Sequence, residues 1–596
     1  MPDRLLLSGN EAVALGAFHA GCTFGSGYPG TPSSEILPAL LALRAREGGN
    51  VYCEWSINEK VALEAAAGAC LTRARCLVTM KHVGLNVAAD PFFTLAYTGV
   101  EGGVVIISAD DPGLHSSQNE QDNRFYARHA GVPMLEPADS QEAYEFTKLA
   151  FALSEEFDTP VLLRMTTRVS HSRSPVVATG DRVEPNLLPA PKNQSKYVMV
   201  PAYAAQRHAI MLDRLTRLTA WAEAASINRA EPGGGDVAFV SAGVAYEYLR
   251  EVMPSAPVLK LGMTYPLPPA LARGIAGGRR LIAVEELEPY LAEQLAALGI
   301  TAASLPADLR LGELTPARVC EALDRLGVTV EHPVAAPMES PEASPALPSR
   351  PPVLCPGCSH RPVFHVLKRM GLLVTGDIGC YTLGALPPLA ALHTCLCMGA
   401  GISEAHGISR ALDGAQPVVA VIGDSTFAHS GLPALANMVY NRSNAVVLIL
   451  DNRTTAMTGG QDHPGTGRTL MGEDTPAMDP LAVAQAMGVG FARRVNAYDI
   501  KTLRATIGEA LAHDGPAVIV TEGPCALLYR VRSDPYAIDE QTCVACGLCL
   551  QLGCPAIQAE EREGKMVPWI DKMLCTGCGL CAEVCPTNAI HLLPSS

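Results

Sequence analysis

The sequence has no excess of basic residues, and this absence limits what the protein can bind. Its 596 residues include 45 Lys and Arg against 60 Asp and Glu, which gives a formal net charge of −15. A nucleic-acid-binding surface needs a basic patch or stripe, so this balance argues against a nucleic-acid partner. Aromatic residues make up only 5% of the chain, and their small number gives no basis for inferring the shape of a substrate pocket.

Long apolar runs are also lacking. The first run, near the N-terminus, is interrupted at Ser8 and again at Glu11, unlike the apolar core of a secretory signal peptide. No later stretch reaches the ~18 uninterrupted apolar residues that a membrane-spanning helix needs. We therefore expect a soluble, cytoplasmic protein without a membrane partner. Its 48% apolar and 18% charged residues are typical of a globular chain, and its length predicts about three to five domains.

Strand-like apolar runs alternate with helical patterns along most of the chain, which is typical of an α/β multidomain protein. Two segments carry the buried runs of doubly wound parallel sheets. The predicted segments are an α/β domain over 1–185, a connector over 186–235, a smaller α/β domain over 236–330, a Pro- and Ala-rich linker over 331–352, a second parallel-sheet domain over 353–530 and a cysteine-rich module over 536–596.

Cysteine is concentrated at the end of the sequence, where eight of the 19 cysteines lie in two runs between Cys543 and Cys585. Such clustering in a large chain indicates metal ligation in a reducing compartment. In two-cluster ferredoxins, one tight loop supplies three thiolates to a cluster and the other run supplies the fourth. The predicted ligands are Cys543, Cys546, Cys549 and Cys585 for one [4Fe-4S] cluster and Cys575, Cys578, Cys581 and Cys554 for the other.

Structural zinc is the alternative for these cysteines, although zinc prefers paired C-x2-C knuckles with four ligands per ion. The first run also has four residues between Cys549 and Cys554, where bacterial ferredoxins usually have three. We therefore expect the longer spacing to alter the surroundings of one cluster. Because a long chain precedes the module, we expect its electrons to be exchanged with a site upstream.

Oxygen ligands follow two strand-like runs of the 353–530 segment. Gly423 and Asp424 end the run PVVAVIGD, and Asn452 follows the run NAVVLILD. Ligands of open α/β sheets bind at the carboxyl ends of strands, and Mg²⁺ takes oxygen ligands together with phosphate oxygens. We predict that Asp424, Asn452 and the carbonyl of Thr454 hold Mg²⁺, with Gly423 and Ser425 forming the turn. The alternative is an ordinary buried turn in which Asp424 caps a helix.

Gly-rich turns upstream predict further contacts with a diphosphate, because backbone N–H groups in such turns bind phosphate oxygens. The residues assigned to the cofactor in these turns are Cys355, Gly357, Cys358, His360, Gly379 and Cys380. A second interpretation stays open for the C-x2-C pair at 355–358. In this alternative, the pair forms half of a zinc knuckle or a redox pair instead, since Cys380, Cys395 and Cys397 follow.

Motifs from the whole chain combine into one pattern. They are YPGTPSSE at 28–35, NEK at 58–60, KHVGLN at 81–86, SADDPGLHSSQNEQDNR at 108–124, CPGCSH at 355–360, HTCLCMGAG at 393–401, GDSTF at 423–427, DN at 451–452 and MTGGQ at 457–461. Together they resemble the 2-oxoacid:ferredoxin oxidoreductases, most closely the large (α) subunits of the indolepyruvate enzymes. The resemblance extends over nearly the whole chain.

The resemblance implies a thiamine diphosphate enzyme with a pyrimidine-binding domain, a transketolase C-terminal-like domain, a domain for the diphosphate and Mg²⁺, and a ferredoxin module. It implies a cofactor between the first and third domains, across a dimer interface. Glu59 matches the acid that hydrogen-bonds the aminopyrimidine and so promotes removal of the thiazolium proton. The alternative for Glu59 is a surface glutamate that begins a helix.

The same resemblance suggests residues that contact the substrate. Thr31 is the leading candidate for binding the substrate carboxylate, and His115 and Arg124 are further candidates from a second loop. Each has a structural alternative, because Ser or Thr beside Pro often caps a helix and a lone Arg is often solvated. The sequence contains no motif for coenzyme A contacts.

We therefore predict thiamine-diphosphate-dependent oxidative decarboxylation of arylpyruvates such as indolepyruvate. Coenzyme A would accept the acyl group, and ferredoxin would be reduced through two [4Fe-4S] clusters. A small β subunit is the expected partner, in a heterodimer or an α2β2 assembly. Two alternatives stay open, namely a sibling enzyme for branched-chain, phenylglyoxylate-like or short 2-oxoacids, and an electron-transfer subunit with a vestigial thiamine site.

Overall fold

The computed structural model describes residues 4–184, 186–334, 351–562 and 564–593. The chain divides into two compact units, unit 1 over Met1–Ala346 and unit 2 over Leu347–Ser596. Most of the predicted linker, residues 335–350, lies outside the described residues. Within the described ranges, no helix has both the length and the apolar character needed to cross a membrane.

Unit 1 is built from strands and helices that alternate along the chain. Its strands are β1 (Arg4–Ser8), β2 (Cys22–Gly27), β3 (Tyr52–Trp55), β4 (Arg75–Lys81), β5 (Val104–Asp110), β6 (Met134–Leu135), β7 (Val161–Thr166), β8 (Arg173–Val177), β9 (Arg229–Glu231), β10 (Val237–Ala242), β11 (Val258–Leu261), β12 (Met263–Tyr265), β13 (Arg280–Val284) and β14 (Ala302–Ser304). Its helices are α1 (Gly9–His19), α2 (Ile36–Glu47), α3 (Glu59–Cys70), α4 (His82–Val87), α5 (Ala89–Thr98), α6 (Arg124–Ala130), α7 (Ser140–Phe157), α8 (Thr167–His171), α9 (Gln194–Tyr197), α10 (Pro201–Ala224), α11 (Gly243–Val252), α12 (Pro269–Ala276), α13 (Tyr290–Ala297), α14 (Ala307–Arg310) and α15 (Pro316–Arg325).

The larger sheet of unit 1 has seven strands in the order β12-β6-β7-β5-β4-β2-β3. Only β12 pairs antiparallel with its neighbour in this sheet. The whole of β5 is buried, which is typical of a parallel strand covered on both faces. In the register, Lys81 pairs with Ala109 and Asp110 pairs with Thr166. The carboxyl ends of β4, β5 and β7 therefore meet at one edge.

Unit 1 also contains a five-stranded sheet in the order β14-β13-β10-β11-β9 and an antiparallel pair of β1 with β8. Strand β9, from the predicted connector, pairs antiparallel with β11. Strand β12, from the segment predicted as the smaller domain, instead pairs with β6 of the larger sheet. The apolar pattern did not reveal this exchange, because each of these strands has too few residues for a periodic signal.

Helix α1 begins at the residues that interrupt the first apolar run. Ser8 Oγ accepts a hydrogen bond from Glu11 N at 3.2 Å, and the Glu11 carboxylate accepts one from Ser8 N at 2.8 Å. This reciprocal pair is a capping box, which satisfies two backbone donors that the first helical turn leaves unpaired.

Unit 2 contains a parallel sheet followed by the cysteine-rich tail. Its strands are β15 (Leu373–Gly376), β16 (Thr394–Cys395), β17 (Val418–Gly423), β18 (Val446–Asp451), β19 (Phe491–Asn496), β20 (Ala517–Glu522), β21 (Tyr536–Ile538), β22 (Ile557–Arg562), β23 (Lys565–Ile570) and β24 (Ile590–Leu592). Its helices are α16 (His360–Met370), α17 (Ala400–Ala411), α18 (Asp424–Thr426), α19 (Leu432–Tyr440), α20 (Pro480–Ala486), α21 (Ile500–Ala512) and α22 (Leu580–Glu583).

The six-stranded sheet of unit 2 has the order β16-β15-β17-β18-β20-β19, and every pair in it is parallel. Its central strands β17 and β18 are neighbours in register, with Gly423 opposite Leu450. The tail forms two antiparallel strand pairs, β21 with β24 and β22 with β23. These sheets confirm the predicted α/β multidomain class.

Candidate functional site

Glu59 begins helix α3 in unit 1. It is only 6% exposed, so it does not lie on the surface as the alternative interpretation required. Asn58 caps the helix by accepting a hydrogen bond from Val61 N at 2.9 Å, which defines where α3 starts. The Glu59 carboxylate packs against Gly84 of α4. The structure thus holds a buried carboxylate at the position predicted for the catalytic acid.

The substrate candidate Thr31 lies in the loop that follows β2. Ser33 holds this loop, since its backbone N–H and its hydroxyl both donate to the Gly30 carbonyl, at 2.8 Å and 2.9 Å. Asn10 Nδ2 donates to the Pro32 carbonyl at 2.7 Å. Thr31 itself is half-buried, and these bonds fix the backbone on both sides of it.

The other two substrate candidates contact acidic groups within the protein. Arg124 is buried and donates to the carboxylates of Asp122 and Glu285 at 2.6 Å and 2.7 Å. It also donates to two backbone carbonyls. His115 is half exposed, and its Nε2 lies 3.7 Å from the Glu313 carboxylate. These contacts support structural roles, most clearly for Arg124, whose guanidinium is surrounded by protein acceptors.

The predicted Mg²⁺ ligands lie together at the ends of β17 and β18. Asp424, Asn452 and Thr454 are all buried. Arg453 N donates to Asp424 Oδ2 at 2.8 Å, which joins the two strand ends, and Ser425 N donates to Asp424 Oδ1 at 2.8 Å. Thr454 N donates to Asn452 Oδ1 at 3.2 Å. Oxygen atoms from two neighbouring strands therefore converge at this edge of the sheet, and their role as Mg²⁺ ligands stays a prediction.

Two buried histidines lie beside the predicted ligands Asp424 and Asn452. His463 Nε2 lies 3.3 Å from Asp424 Oδ2, and Gly465 N donates to His463 Nδ1 at 3.1 Å, so the ring is held on one side by backbone and faces the carboxylate with the other. Burial raises the pKa of Asp424, but the close contact with His463 outweighs burial and lowers that pKa. His360 Nε2 lies 3.3 Å from Asn452 Nδ2, and burial lowers the pKa of His360 to about 4. Sequence reasoning missed His463, because no spacing marks it as a partner of Asp424.

Tyr381 covers the turn that carries Asp424. A β-carbon at Gly423 would stand 2.8 Å from the Tyr381 ring, and one at Gly379 would stand 2.3 Å from it. Both glycines therefore leave room for this ring. Its hydroxyl donates to the buried Asp377 and lies 3.3 Å from Thr426 Oγ1. Burial raises the pKa of Asp377 to about 8, so its protonated form persists at neutral pH.

A cavity of about 520 Å³ lies beside the predicted metal ligands, with His360 and Asn452 in its wall. Four cysteines also line it, namely Cys355, Cys358, Cys380 and Cys525. Sequence reasoning missed Cys525, which has no neighbouring cysteine in the sequence. Cys395 and Cys397, which were considered with the C-x2-C pair, are exposed and do not line this cavity.

The eight tail cysteines separate into the two predicted sets. Cys554, Cys575, Cys578 and Cys581 line one small cavity. Cys543, Cys546, Cys549 and Cys585 line a second small cavity. The extra residue before Cys554 is accommodated by a 3-10 turn at Leu550–Leu552 and by Gly553, whose φ of 63° is left-handed. In the described ranges, no three His, Cys, Asp or Glu side chains are grouped around a position for a single metal ion.

The C-x2-C loop of unit 2 touches the tail. A β-carbon at Gly357 would stand 2.3 Å from Thr576 Oγ1, and Arg361 donates to the Leu552 carbonyl at 2.6 Å. Cys358 lines both the large cavity and the cavity of the Cys575 set. The two cavities therefore share a wall.

Three family models match the chain. Residues 15–218 match the thiamine-diphosphate-binding domain of pyruvate flavodoxin/ferredoxin oxidoreductases. Residues 377–521 match the C-terminal binding domain of thiamine pyrophosphate enzymes. Residues 536–592 match a 4Fe-4S dicluster domain. These matches confirm thiamine diphosphate and iron–sulfur clusters as cofactors.

Relatives of known name resemble almost the full chain. The indolepyruvate oxidoreductase subunit IorA of Methanothermobacter thermautotrophicus is 43% identical, over 99% of this chain and 97% of its own. The IorA subunit of Thermococcus kodakarensis is 41% identical, over 98% and 97%. Among solved structures, a 2-oxoglutarate:ferredoxin oxidoreductase from Magnetococcus marinus aligns with 54% of this chain and 65% of its own, with 16% identity and a TM-score of 0.46.

Proposed function

This chain belongs to the family of indolepyruvate oxidoreductase subunits named IorA, and on that premise we propose that its substrates are arylpyruvates such as indolepyruvate. The reaction class is thiamine-diphosphate-dependent oxidative decarboxylation of a 2-oxoacid, with iron–sulfur clusters as electron carriers. The observation that carries the substrate proposal is the large cavity of unit 2, which combines polar groups with a broad apolar wall.

The apolar wall suits an aromatic side chain. Leu383, Met457, Leu527 and Leu528 line the cavity together with Ala456. An aryl group gains most from transfer out of water onto such a surface, since burial of apolar area contributes about 25 cal/mol per Å². A short acid such as pyruvate would leave most of this wall in contact with water. The wall therefore favours the arylpyruvate over the short 2-oxoacid alternative.

The residues at the ends of β17 and β18 fit a diphosphate with Mg²⁺. Asp424, Asn452 and the Thr454 carbonyl are oxygen donors of the kind that this hard cation takes together with phosphate oxygens. The cavity beside them also has Gly459 and Gly460 in its wall, both with positive φ, which permits close backbone approach. These residues would hold the metal and the diphosphate.

Glu59 would hold a proton at the pyrimidine ring. When bound, thiamine diphosphate supplies the electron sink for decarboxylation. The carboxyl of Glu59 would hydrogen-bond the ring nitrogen, and its burial in unit 1 excludes water that would compete for it. Replacing Glu59 by Gln removes the acid, so turnover is expected to fall by roughly 100- to 10,000-fold with little change in cofactor affinity. Glu64→Gln is the control, since Glu64 is exposed on the same helix and pairs with Lys60.

The four cavity cysteines would extend the electron path. We propose that Cys355, Cys358, Cys380 and Cys525 hold an additional iron–sulfur cluster in the wall of the large cavity, in place of the cofactor contacts predicted for the first three. All four line that cavity, and Cys358 also lines the cavity of the Cys575 set. The full chain would then contain about twelve iron atoms, at four per cluster. Cys525→Ala should lower iron content and leave the two tail clusters, whereas Cys320→Ala in unit 1 should change nothing. About eight iron atoms in both proteins would refute the additional cluster.

The remaining partners follow from the proposed reaction. A small β subunit would complete the enzyme, coenzyme A would accept the acyl group, and ferredoxin would accept the electrons. The deciding experiment is anaerobic reduction of a ferredoxin or viologen dye by the full chain with its small partner, thiamine diphosphate, Mg²⁺, coenzyme A and a panel of 2-oxoacids. We expect preference for arylpyruvates. Preference for short or branched-chain acids would refute the aryl assignment, and no turnover of any acid would favour the vestigial alternative.

A further inference from the structure

Lys81 is a buried basic residue that forms no ion pair with any carboxylate among the described residues. It ends strand β4 and is only 9% exposed. Its Nζ donates to the carbonyl of Ser116 at 2.5 Å and lies 3.3 Å from the Ser116 hydroxyl. In the part of the chain that the structure describes, no carboxylate forms an ion pair with it.

Asp111, the acidic residue whose charge acts on Lys81, accepts hydrogen bonds from other groups. Asp111 accepts hydrogen bonds from Ser116 N at 2.9 Å, from the Ser117 hydroxyl at 2.5 Å and from the Thr167 hydroxyl at 2.7 Å. Burying an ammonium ion without a counter-ion is costly, and such a group persists when it is paired or serves a ligand. Burial accordingly lowers the pKa of Lys81 to about 8, although the charge of Asp111 opposes this change.

The surroundings of Lys81 are those of the predicted site in unit 1. A β-carbon at Gly30 would stand 2.9 Å from the Lys81 Cβ, so Lys81 touches the loop that carries Thr31. Three residues after Lys81, Gly84 packs against the carboxylate of Glu59. Lys81 also lies at the carboxyl edge of a parallel sheet, which is where ligands of such sheets bind.

We propose that Lys81 binds the carboxylate of the 2-oxoacid substrate. This assignment rests on the proposed function, since it takes the substrate to be a 2-oxoacid. The ammonium would pair with the acid group that all 2-oxoacids share, and Thr31 on the adjacent loop would contribute a hydroxyl. Lys81 takes the role for which Arg124 was a candidate, because Arg124 is enclosed by Asp122, Glu285 and backbone carbonyls.

The competing explanation is that Lys81 only anchors the loop containing Ser116. Binding of two matched ligands to the full chain, measured by calorimetry, separates the two roles. Indolepropionate carries the carboxylate but no reactive 2-oxo group, and indolepropionamide has the same shape without the charge. If Lys81 pairs with the carboxylate, Lys81→Gln weakens the binding of indolepropionate by roughly 10- to 100-fold. The affinity for indolepropionamide stays unchanged. If Lys81 only anchors the loop, the substitution weakens the binding of both ligands equally, and that result would overturn the proposal.

Two control variants sharpen the result. Lys60→Gln removes the same charge from an exposed position on α3 and should affect neither ligand. Lys81→Arg keeps the charge and should retain part of the affinity for indolepropionate.

Kinetics distinguish this proposal from the choice of substrate. Lys81→Gln should raise the KM for whichever 2-oxoacid the wild-type enzyme uses and leave the KM for coenzyme A unchanged. Preference for a non-aryl acid would refute only the proposed substrate. The matched ligands would then be the analogue of that acid with CH2 in place of the 2-oxo group, and the amide of this analogue. A change in the KM for coenzyme A alone would assign the cation to a phosphate and overturn the proposal. The proposal would also be overturned if the wild-type chain did not bind the carboxylate ligand.

Discussion

Gly84 and the carboxylate of Glu59 lie in direct contact. A β-carbon at position 84 would stand 2.6 Å from Oε1 and 2.9 Å from Cδ of Glu59. Gly84 lies within helix α4, so the constraint is the space between the two groups. A glycine in a six-residue helix thereby defines the position of the acid in unit 1.

Replacing Gly84 by Ala should displace the Glu59 carboxylate and lower turnover. The added methyl group cannot share the volume, and misplacement of a catalytic group by about 1 Å costs on the order of 100-fold in rate. Steady-state turnover and cofactor affinity, measured on the same protein, should show a loss in the first that exceeds the loss in the second. Gly68→Ala is the matched control, because Gly68 lies in α3 and a β-carbon there would meet nothing within 4 Å. Equal turnover for both variants would argue against this constraint.

His463 should determine how tightly the metal site binds. Its ring holds Asp424 at 3.3 Å, and residues that orient a metal ligand typically contribute about 10- to 100-fold in affinity. We expect His463→Ala to weaken Mn²⁺ binding in the presence of thiamine diphosphate by such a factor, as measured by electron paramagnetic resonance. His332→Ala removes an exposed histidine and should leave the affinity unchanged. Unaltered Mn²⁺ affinity in His463→Ala would show that Asp424 is held without it.

Arg124 should matter for stability. Replacing it by Met leaves Asp122 and Glu285 buried without their cation, and breaking a buried ion pair in this way costs about 3–5 kcal/mol. Thermal unfolding of the full chain should show a lower transition for Arg124→Met. In Arg168→Met the lost pair with Glu313 involves an arginine side chain that is 49% exposed, and the expected cost is about 0–1 kcal/mol. If Arg124→Met unfolded at the normal temperature but had a raised KM for the substrate, the predicted contact of Arg124 with the substrate would be supported instead.

The affinity for the 2-oxoacid should fall as the pH rises through about 8. Burial lowers the pKa of Lys81 to about 8, so its charge is present below that pH and lost above it. Since kcat/KM reports ionisations of the free enzyme, its pH profile should decline above about 8 for the wild type. Arginine stays protonated over this range, and Lys81→Arg should remove that decline. The same profile in both proteins would attribute it to another group.

Several features of the site were predictable because they are local in the sequence. Asp424 and Asn452 each follow a buried strand, and parallel strands bring their carboxyl ends to one edge, so the convergence of these two residues required no further information. The tail cysteines were predictable for a similar reason, since the spacing within each run limits which thiols can share a cluster. The ligand assignments themselves stay predictions.

Other residues were hidden because their partners are distant in the sequence. Cys525 lies far along the chain from the C-x2-C pair, and only the fold of unit 2 brings it to the same cavity. His463 has no spacing relation to Asp424. The β12 strand, with three residues, joins a sheet whose other strands precede it by a long stretch of chain.

The sequence by itself determined the α/β class, the cysteine-rich tail, the placement of Asp424 and Asn452 at strand ends and the family, because these depend on short motifs and on periodicity within single elements. Only the tertiary structure decided the environment of each charged group. Arg124 and Lys81 are both basic residues near predicted motifs, and no local pattern separates them. Arg124 is enclosed by carboxylates, whereas Lys81 is buried beside a hydroxyl and a carbonyl. The reason is physical: the state of a buried charge depends on the sum of its neighbours, and those neighbours come from segments that only folding brings together.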